Sequence, residues 1–289
     1  MKVLVTGAAG QLGQALQRSA PAGVDLVALD RAGLDLADPL AIDRVVAHQQ
    51  PALIINAAAY TAVDKAESEP VLAYRLNSEA PAALAAAAAR HGARLLHVST
   101  DFVFDGRNPE PYRPDHPTAP LGVYGASKQA GEAAVLAADP GALIVRTAWV
   151  HAARGNNFVK TMLRLMAERP EVRVVADQIG TPTHAVSLAR ALWALAASEA
   201  CGVLHFTDAG VASWYDFAVA IQEEALALGL LTQAVPVRPI TTADYPTPAR
   251  RPAYSVLDKT ATTALIGPAA HWRVELRAML AMLKEQTHG

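Results

Sequence analysis

Five short apolar runs recur through the first 150 residues, and longer helical patterns separate them. The runs are "KVLVT" at 2–6, "VDLVALD" at 24–30, "ALIINAA" at 52–58, "RLLHVST" at 94–100 and "ALIVRTAWV" at 142–150. They are continuous rather than alternating, as expected of strands covered on both faces. Residues 11–19, 39–49, 70–91 and 123–138 read as helices. Asp38 then Pro39 has the form of an N-cap followed by proline at the first helical position, and Gly92 stands where a C-cap glycine belongs. Such alternation calls for parallel pairing through right-handed crossovers, so the chain is expected to be an α/β protein with a doubly wound parallel sheet.

Directly after the first run comes "GAAGQLG", with Gly7, Gly10 and Gly13 spaced as G-x-x-G-x-x-G. Glycines there let the backbone turn tightly and approach a pyrophosphate, while the next helix offers its N-terminal amides to the anion. A glycine triplet alone also marks plain turns; its place between strand and helix makes it a dinucleotide signal. The sheet is therefore expected to be Rossmann-type. Asp30 ends the second run near the spacing expected of an acid on the adenosine ribose. Its charge opposes a 2′-phosphate and favours NADH, whereas Arg31 beside it can pair with that phosphate and favours NADPH, so both cofactors stay open. Asp35 falls where the next loop could touch the adenine, and the small residues of "NAAAYTAVD" leave room for a cofactor across the sheet edge.

"VYGASKQAGE" sets Tyr124 and Lys128 four residues apart on a helix, hence on one face. An ammonium within about 4–6 Å stabilises a phenolate and can lower the tyrosine pKa by about 1–3 units, which makes a better general acid. Y-x-x-x-K is common by chance. Here it follows "HVSTDFVFDG", whose Ser99 and Thr100 end the fourth run facing the same crevice.

After residue 150 the order loosens. Helical patterns at 156–168, 185–197, 213–228 and 271–286 are separated by longer loops, among them the Pro-rich, basic "VPVRPITTADYPTPARRPAY". Residues 1–150 are expected to form the dinucleotide-binding domain. Residues 151–289 are expected to form mainly a smaller, partly interleaved α/β substrate lobe, with segments at about 172–200 and 235–250 returning to the first domain. No linker or repeat divides the two. Trp214, Tyr215 and Phe217, behind a plausible N-cap at Ser213, read as packing of that lobe, and His184 reads as a helix cap.

The bulk properties exclude several classes. Twenty-five basic against 27 acidic residues give a net charge of −2, and no basic stripe is interleaved with aromatics, so nucleic acid and anionic membranes are not expected partners. The single cysteine, Cys201, forms no internal disulfide. "MKVLVTGAAG" lacks a signal-peptide core, and the Ala-rich stretches are too short to span a bilayer, so a cytoplasmic protein is expected. His48, His91 and His97 are scattered without i, i+4 pairing and read as surface or packed side chains; no metal site is expected. Oligomeric state is not readable, and a homodimer stays open.

Glycine loop, strand-end hydroxyl and Y-x-x-x-K in this order resemble the extended short-chain dehydrogenase/reductases. "VTGAAGQLGQAL", "NAAAYTAVDKAESEP", "STDFVFDG", "YGASKQAGE", "RTAWVH" with "GNNFVKTML", "DQIGTPT" and "SWYDFA" further resemble the dTDP-4-dehydrorhamnose reductases over nearly the whole chain. "TAVDKAESEP" and "STDFVFDG" are much more specific than the glycines or Y-x-x-x-K. Phe102 stands where that family usually has tyrosine. The resemblance implies reduction of the C4 keto group of dTDP-4-dehydro-6-deoxy-L-mannose to dTDP-L-rhamnose, with NADPH or NADH. It makes Tyr124 the proton donor, Lys128 its partner and Thr100 the hydroxyl completing the trio. It sets Gly10, Gln11 and Leu12 on the pyrophosphate, Asp30 on the ribose and Asp35 and Leu36 near the adenine. It places Ala58, Ala59, Tyr60 and Thr61 along the nicotinamide half. Asp101 and Trp149 fall beside the sugar, and Asn157 and Arg251 become candidates for the nucleotide diphosphate. Magnesium is associated with some members, but "QLGQALQRS" offers glutamines and no carboxylate. A nucleotide-sugar 4-epimerase or 4,6-dehydratase is an alternative, although Thr100-Asp101-Phe102 lacks the Asp-Glu pair of a dehydratase. A non-catalytic subunit like the regulatory partner of methionine adenosyltransferase is another. Between dTDP and UDP the sequence does not choose.

Overall fold

The computed structural model describes residues 1–288. In chain order the first half runs β1 (Lys2–Thr6), α1 (Gln11–Arg18), β2 (Asp25–Leu29), α2 (Pro39–Gln49), β3 (Leu53–Asn56), α3 (Val63–Ala66), α4 (Pro70–Tyr74), α5 (Ala80–His91), β4 (Arg94–Thr100), α6 (Val123–Ala138) and β5 (Leu143–Thr147). The second half adds β6 (Val150–His151), α7 (Phe158–Glu168), β7 (Val172–Val175), β8 (Ile179–Gly180), β9 (Thr183–His184), α8 (Ala185–Ala196) and β10 (Gly202–His205). It closes with β11 (Ala212–Ser213), α9 (Trp214–Ala227), β12 (Val237–Ile240), α10 (Thr260–Ile266) and α11 (Trp272–His288).

The central sheet has six parallel strands in the order β10-β5-β4-β3-β1-β2. Successive side chains leave a strand on opposite faces. Val3 and Val5 enter one core cluster with Leu16, Leu188 and Leu192, while Leu4 between them enters the other with Ile42, Leu84 and Val135. Both faces are covered, which is why the strands read as unbroken apolar runs. The sheet reverses direction of winding between β1 and β3, and the loops after both strands meet there.

The stretch expected as one helix over 70–91 carries a π turn at Arg75–Glu79. Pro81 has no N–H to return to the carbonyl of Asn77, so the ladder is interrupted at that point. The freed carbonyl faces Gly131 of α6 so closely that a Cβ there would lie 2.0 Å from it. The Asn77 side chain turns to the loop after β3, accepting from Tyr60 N at 2.8 Å and donating to Tyr60 O at 3.0 Å. A local irregularity thus braces one wall of the crevice.

Sequence reasoning assigned no strand to "GVLH". It is the sheet's sixth strand, paired with β5, and four residues were too short a run to stand out. Of the segments expected to rejoin the first domain, α8 lies against α1, with Trp193 Nε1 donating to Leu16 O at 3.2 Å. Residues 172–175 and 237–240 do otherwise: β7 and β12 pair with each other outside the central sheet. Val172 and Val174 find their apolar partners in Phe217 and Ile221 of α9, in the second lobe's own core with Leu276 and Leu280 of α11. No helix among the described residues is long and apolar enough to cross a membrane.

Candidate active site

A cleft of about 590 Å³ opens at the carboxyl ends of the strands, between the sheet and the second lobe. Its floor is the glycine loop. Gly7 has φ +73°, and a Cβ on it would lie 2.8 Å from the backbone of Ala58. A Cβ on Gly13 would lie 2.1 Å from the Gly7 carbonyl oxygen, so α1 can start this close to β1 only with glycine there. Gly10 precedes α1 in extended conformation and supplies no side-chain cap, which leaves the helix N-terminus facing the cleft beside Gln11 and Leu12. Asp30 and Arg31 stand at the far rim, and Ala58, Ala59 and Thr61 line the side wall. These surfaces form a cradle that fits a dinucleotide.

Asp35, Leu36, Tyr60 and Arg251, also expected at the cofactor or substrate, do not line this cleft. Asp35 and Leu36 are outside the cleft lining; the Asp35 carboxylate accepts from Ala37 N at 3.0 Å. Tyr60 turns away, its phenol donating to Glu69 at 2.7 Å. Arg251, considered for the diphosphate, is instead bound through both Nη atoms to Asp64, at 3.1 and 2.7 Å. The same carboxylate of "DKAESEP" also accepts from Ala249 N at 3.2 Å, which ties it to the loop that carries Arg251. Glu67 of this segment accepts from Val123 N at 2.8 Å, at the start of the helix that carries Tyr124. That segment therefore joins the start of α6 to the loop that carries Arg251.

Thr100 ends β4, and Tyr124 and Lys128 reach the cleft from α6. Gly125 makes this approach possible, since a Cβ there would lie 2.2 Å from Phe102 O. The Phe102 ring packs edge-on against Tyr124 at 5.4 Å. The expectation that Lys128 lowers the Tyr124 pKa does not hold. Burial pushes the phenol up to about 12, the Asp101 carboxylate adds to the rise, and only the hydrogen bond with Thr100 opposes it. Lys128 is turned aside, donating to Val98 O at 2.8 Å and lying 3.2 Å from His97 Nε2.

His97, read from the sequence as a surface or packed side chain, also touches Lys128, which the sequence did not show. It is completely buried, and a row of side chains, Thr6, Asn56 and His97, leads from β1 across β3 and β4 to Lys128. The register pairs Thr6 with Asn56 and Asn56 with His97. A polar residue at the same level of three apolar strands was the available signal. Beneath Lys128, Glu132 receives Arg146 Nε at 2.9 Å and Nη2 at 2.6 Å, both side chains almost wholly buried.

The second lobe supplies the roof. Trp149 has φ +48°, uncommon for a bulky residue, and its indole stacks on Trp214 with ring centroids 3.5 Å apart. Phe158 and Phe217 continue the apolar surface. Trp214 and Phe217, read from the sequence as packing, therefore also line the cleft. Asn157 caps α7 and donates to Gln11 Oε1 at 2.9 Å, joining roof to floor.

Asp101 is 1% exposed, and burial pushes its carboxyl from 3.8 up to about 6, against hydrogen bonds from Ser255 and Thr100. A carboxyl whose folded-state pKa is raised costs nothing while both states are protonated, below about pH 4. The penalty grows as pH rises toward 6 and then stays, on the order of 2–3 kcal/mol. Asp101→Asn is expected to raise Tm above pH 6 and to leave it nearly unchanged near pH 4. Thermal melts across that range check this, and an equal gain at both ends would refute the burial cost.

A glycine cradle on the first strand, a strand-end hydroxyl and a tyrosine–lysine helix around one crevice define a nicotinamide-dependent oxidoreductase of the short-chain dehydrogenase/reductase class. The family model described as "RmlD substrate binding domain" matches residues 1–285. The chain is 47% identical to the dTDP-4-dehydrorhamnose reductase of Mycobacterium tuberculosis over 289 residues, spanning 97% of this chain and 92% of that protein. The solved dTDP-4-dehydrorhamnose reductase of Clostridium acetobutylicum superposes with a TM-score of 0.93 at 41% identity, covering 98% of this chain and 100% of that one. That of Bacillus anthracis, in complex with NADP, superposes with a TM-score of 0.91 at 38% identity, covering 97% and 99%. The chain belongs to the dTDP-4-dehydrorhamnose reductase family.

Proposed function

We propose that this protein reduces the C4 keto group of dTDP-4-dehydro-6-deoxy-L-mannose to give dTDP-L-rhamnose, the last step of dTDP-rhamnose formation, consuming NADPH or NADH. The observation that carries this reading is the convergence of Thr100, Tyr124 and Lys128 on the crevice floored by the glycine loop, in a chain of this family. The reduced nicotinamide, when bound, supplies the hydride for C4.

This chain's residues do the rest. Gly7, Gly10, Gln11, Leu12 and Gly13 form the diphosphate cradle, with the open end of α1 toward the anion. Asp30 accepts from the adenosine ribose; Arg31 beside it can pair with a 2′-phosphate. Ala58, Ala59 and Thr61 bound the nicotinamide half. Trp149 and Trp214 close over the sugar and exclude water, and Asn157 holds the roof to the floor. Tyr124, protonated at working pH, gives its proton to the C4 oxygen as charge develops there. Thr100 donates to the same oxygen or to the phenolate left behind, and Lys128, held on Val98 O in the free protein, has to turn toward that phenolate to stabilise it as an ammonium. In the free protein the Thr100 hydroxyl donates to Asp101 at 3.0 Å, so its one proton has to turn from that carboxylate to the reacting oxygen when substrate is bound. Arg251 is assigned to the rim, as the partner of Asp64. We place the reaction in the cytoplasm, where reduced cofactor and nucleotide sugar are available.

Absorbance at 340 nm tests the proposal, with purified protein, NADPH or NADH, and the 4-keto sugar nucleotide made in situ. Stoichiometric loss of reduced cofactor is expected. An epimerase or dehydratase regenerates its cofactor and a regulatory subunit turns none over. No net consumption by protein that still binds the cofactors would therefore sink the reductase reading.

A further inference from the structure

The polar row beneath the cleft can share its protons in only one way. Ala58 N–H donates to Asn56 Oδ1 at 3.1 Å, and Thr6 Oγ1 donates to the same oxygen at 2.7 Å. A backbone amide is always a donor, so the Asn56 oxygen must face it, and Asn56 Nδ2 then donates to His97 Nδ1, 3.0 Å away. Burial, with Lys128 nearby, holds the His97 pKa well below its ordinary value, so the ring is neutral. With Nδ1 accepting, its single proton sits on Nε2 and points at Lys128 Nζ, 3.2 Å away. An ammonium has three donors and no acceptor, whereas a neutral amine has a lone pair to receive that proton.

We propose, building on the reductase reading above, that His97 is a positioning residue whose Nε2–H, fixed by Asn56, controls whether Lys128 carries its proton. The groups around Lys128 leave this role to it. Glu132, one turn on along α6, draws the charge onto Lys128, but its carboxylate is engaged by Arg146 of β5. Tyr124, one turn back along the same face of α6, is the other titratable group on that helix. Asn77, from the π turn, is neutral and bonds Ser127 at 3.1 Å. From β4 come the Val98 carbonyl and His97. Burial brings Lys128 down from 10.5 to about 8, with Glu132 opposing the fall. The mechanism uses Lys128 charged, a form present below its pKa and lost above it. A donor at His97 makes that charge easier to lose as pH rises, and an acceptor would retain it.

Asn56→Asp tests this with little change of shape. Ala58 and Thr6 still donate to the carboxylate, but His97 must now carry its proton on Nδ1 and offer a lone pair to Lys128. The alkaline limb of kcat/KM is expected to move up by about one pH unit or more. His97→Gln, whose side-chain amide can accept from Asn56 and donate toward Lys128, is expected to keep the limb of the parent protein. Long-range 1H–15N spectra of the unsubstituted protein are expected to show His97 as the neutral Nε2–H tautomer, and those of Asn56→Asp the Nδ1–H form. An Nδ1–H tautomer in the unsubstituted protein overturns the proposal. So does an unmoved limb in Asn56→Asp once its tautomer has switched. The tautomer is read without turnover, so a protein inactive on the keto sugar would sink the reductase reading separately.

Discussion

Tyr124→Phe is expected to bind reduced nicotinamide cofactor as tightly as the parent protein and to lose about 10²–10⁴-fold in kcat/KM for the keto sugar, the usual worth of a positioned proton donor. Phenylalanine keeps the ring and its edge-on contact with Phe102. It removes only the hydroxyl that hydrogen-bonds Thr100 and would meet the C4 oxygen. Fluorescence titration with NADPH and initial rates at 340 nm separate the two effects. A variant that retains more than about a tenth of the rate would show that the proton comes from another group, with Asp101 the nearest candidate because its raised pKa of about 6 leaves part of it protonated near neutrality.

Arg146→Met is expected to cost about 3–5 kcal/mol of stability, because it strands the Glu132 carboxylate in the core. Both side chains are almost wholly buried, and Arg146 has further partners in the Pro114 carbonyl at 3.1 Å and the Phe104 ring at 5.1 Å. Urea denaturation measures the loss. Adding Glu132→Leu should restore much of it, since replacing a buried pair by apolar residues of similar size is often neutral. If the single and double variants were equally unstable, the damage would lie in packing around β5 rather than in an unpaired charge.

What could be read from the sequence was what the chain keeps local. The glycine loop, Thr100 and the Tyr124–Lys128 spacing are each contained within one turn or one strand end, so the alternation of strands and helices was enough to bring them together. The row Thr6–Asn56–His97 was hidden because its members are far apart in sequence and meet only through strand register. Trp214 was hidden for a similar reason: an aromatic at a helix start packs a core in most proteins, and only the stacking on Trp149 turns it toward the crevice. The direction of the Tyr124 pKa was misjudged because spacing on a helix specifies a face, not a contact. Lys128 finds closer partners in Val98 and His97, and desolvation then governs the phenol. Arg251 shows the same limit, its charge being engaged by a carboxylate 187 positions away in the chain.

The late arrival of α8 and β10 in the first core has a consequence for how the protein is made. While the chain is being synthesised, β5 emerges without its outer neighbour, and Leu16 has no α8 over it. The nascent N-terminal half therefore carries a bare sheet edge and an uncovered apolar face until residue 205 leaves the ribosome, the state in which chains stick to one another. Cut near residue 150, the first half lacks α8 and β10, which complete its own core and sheet. A truncated product ending near residue 150 should aggregate, and the intact chain should melt in a single transition.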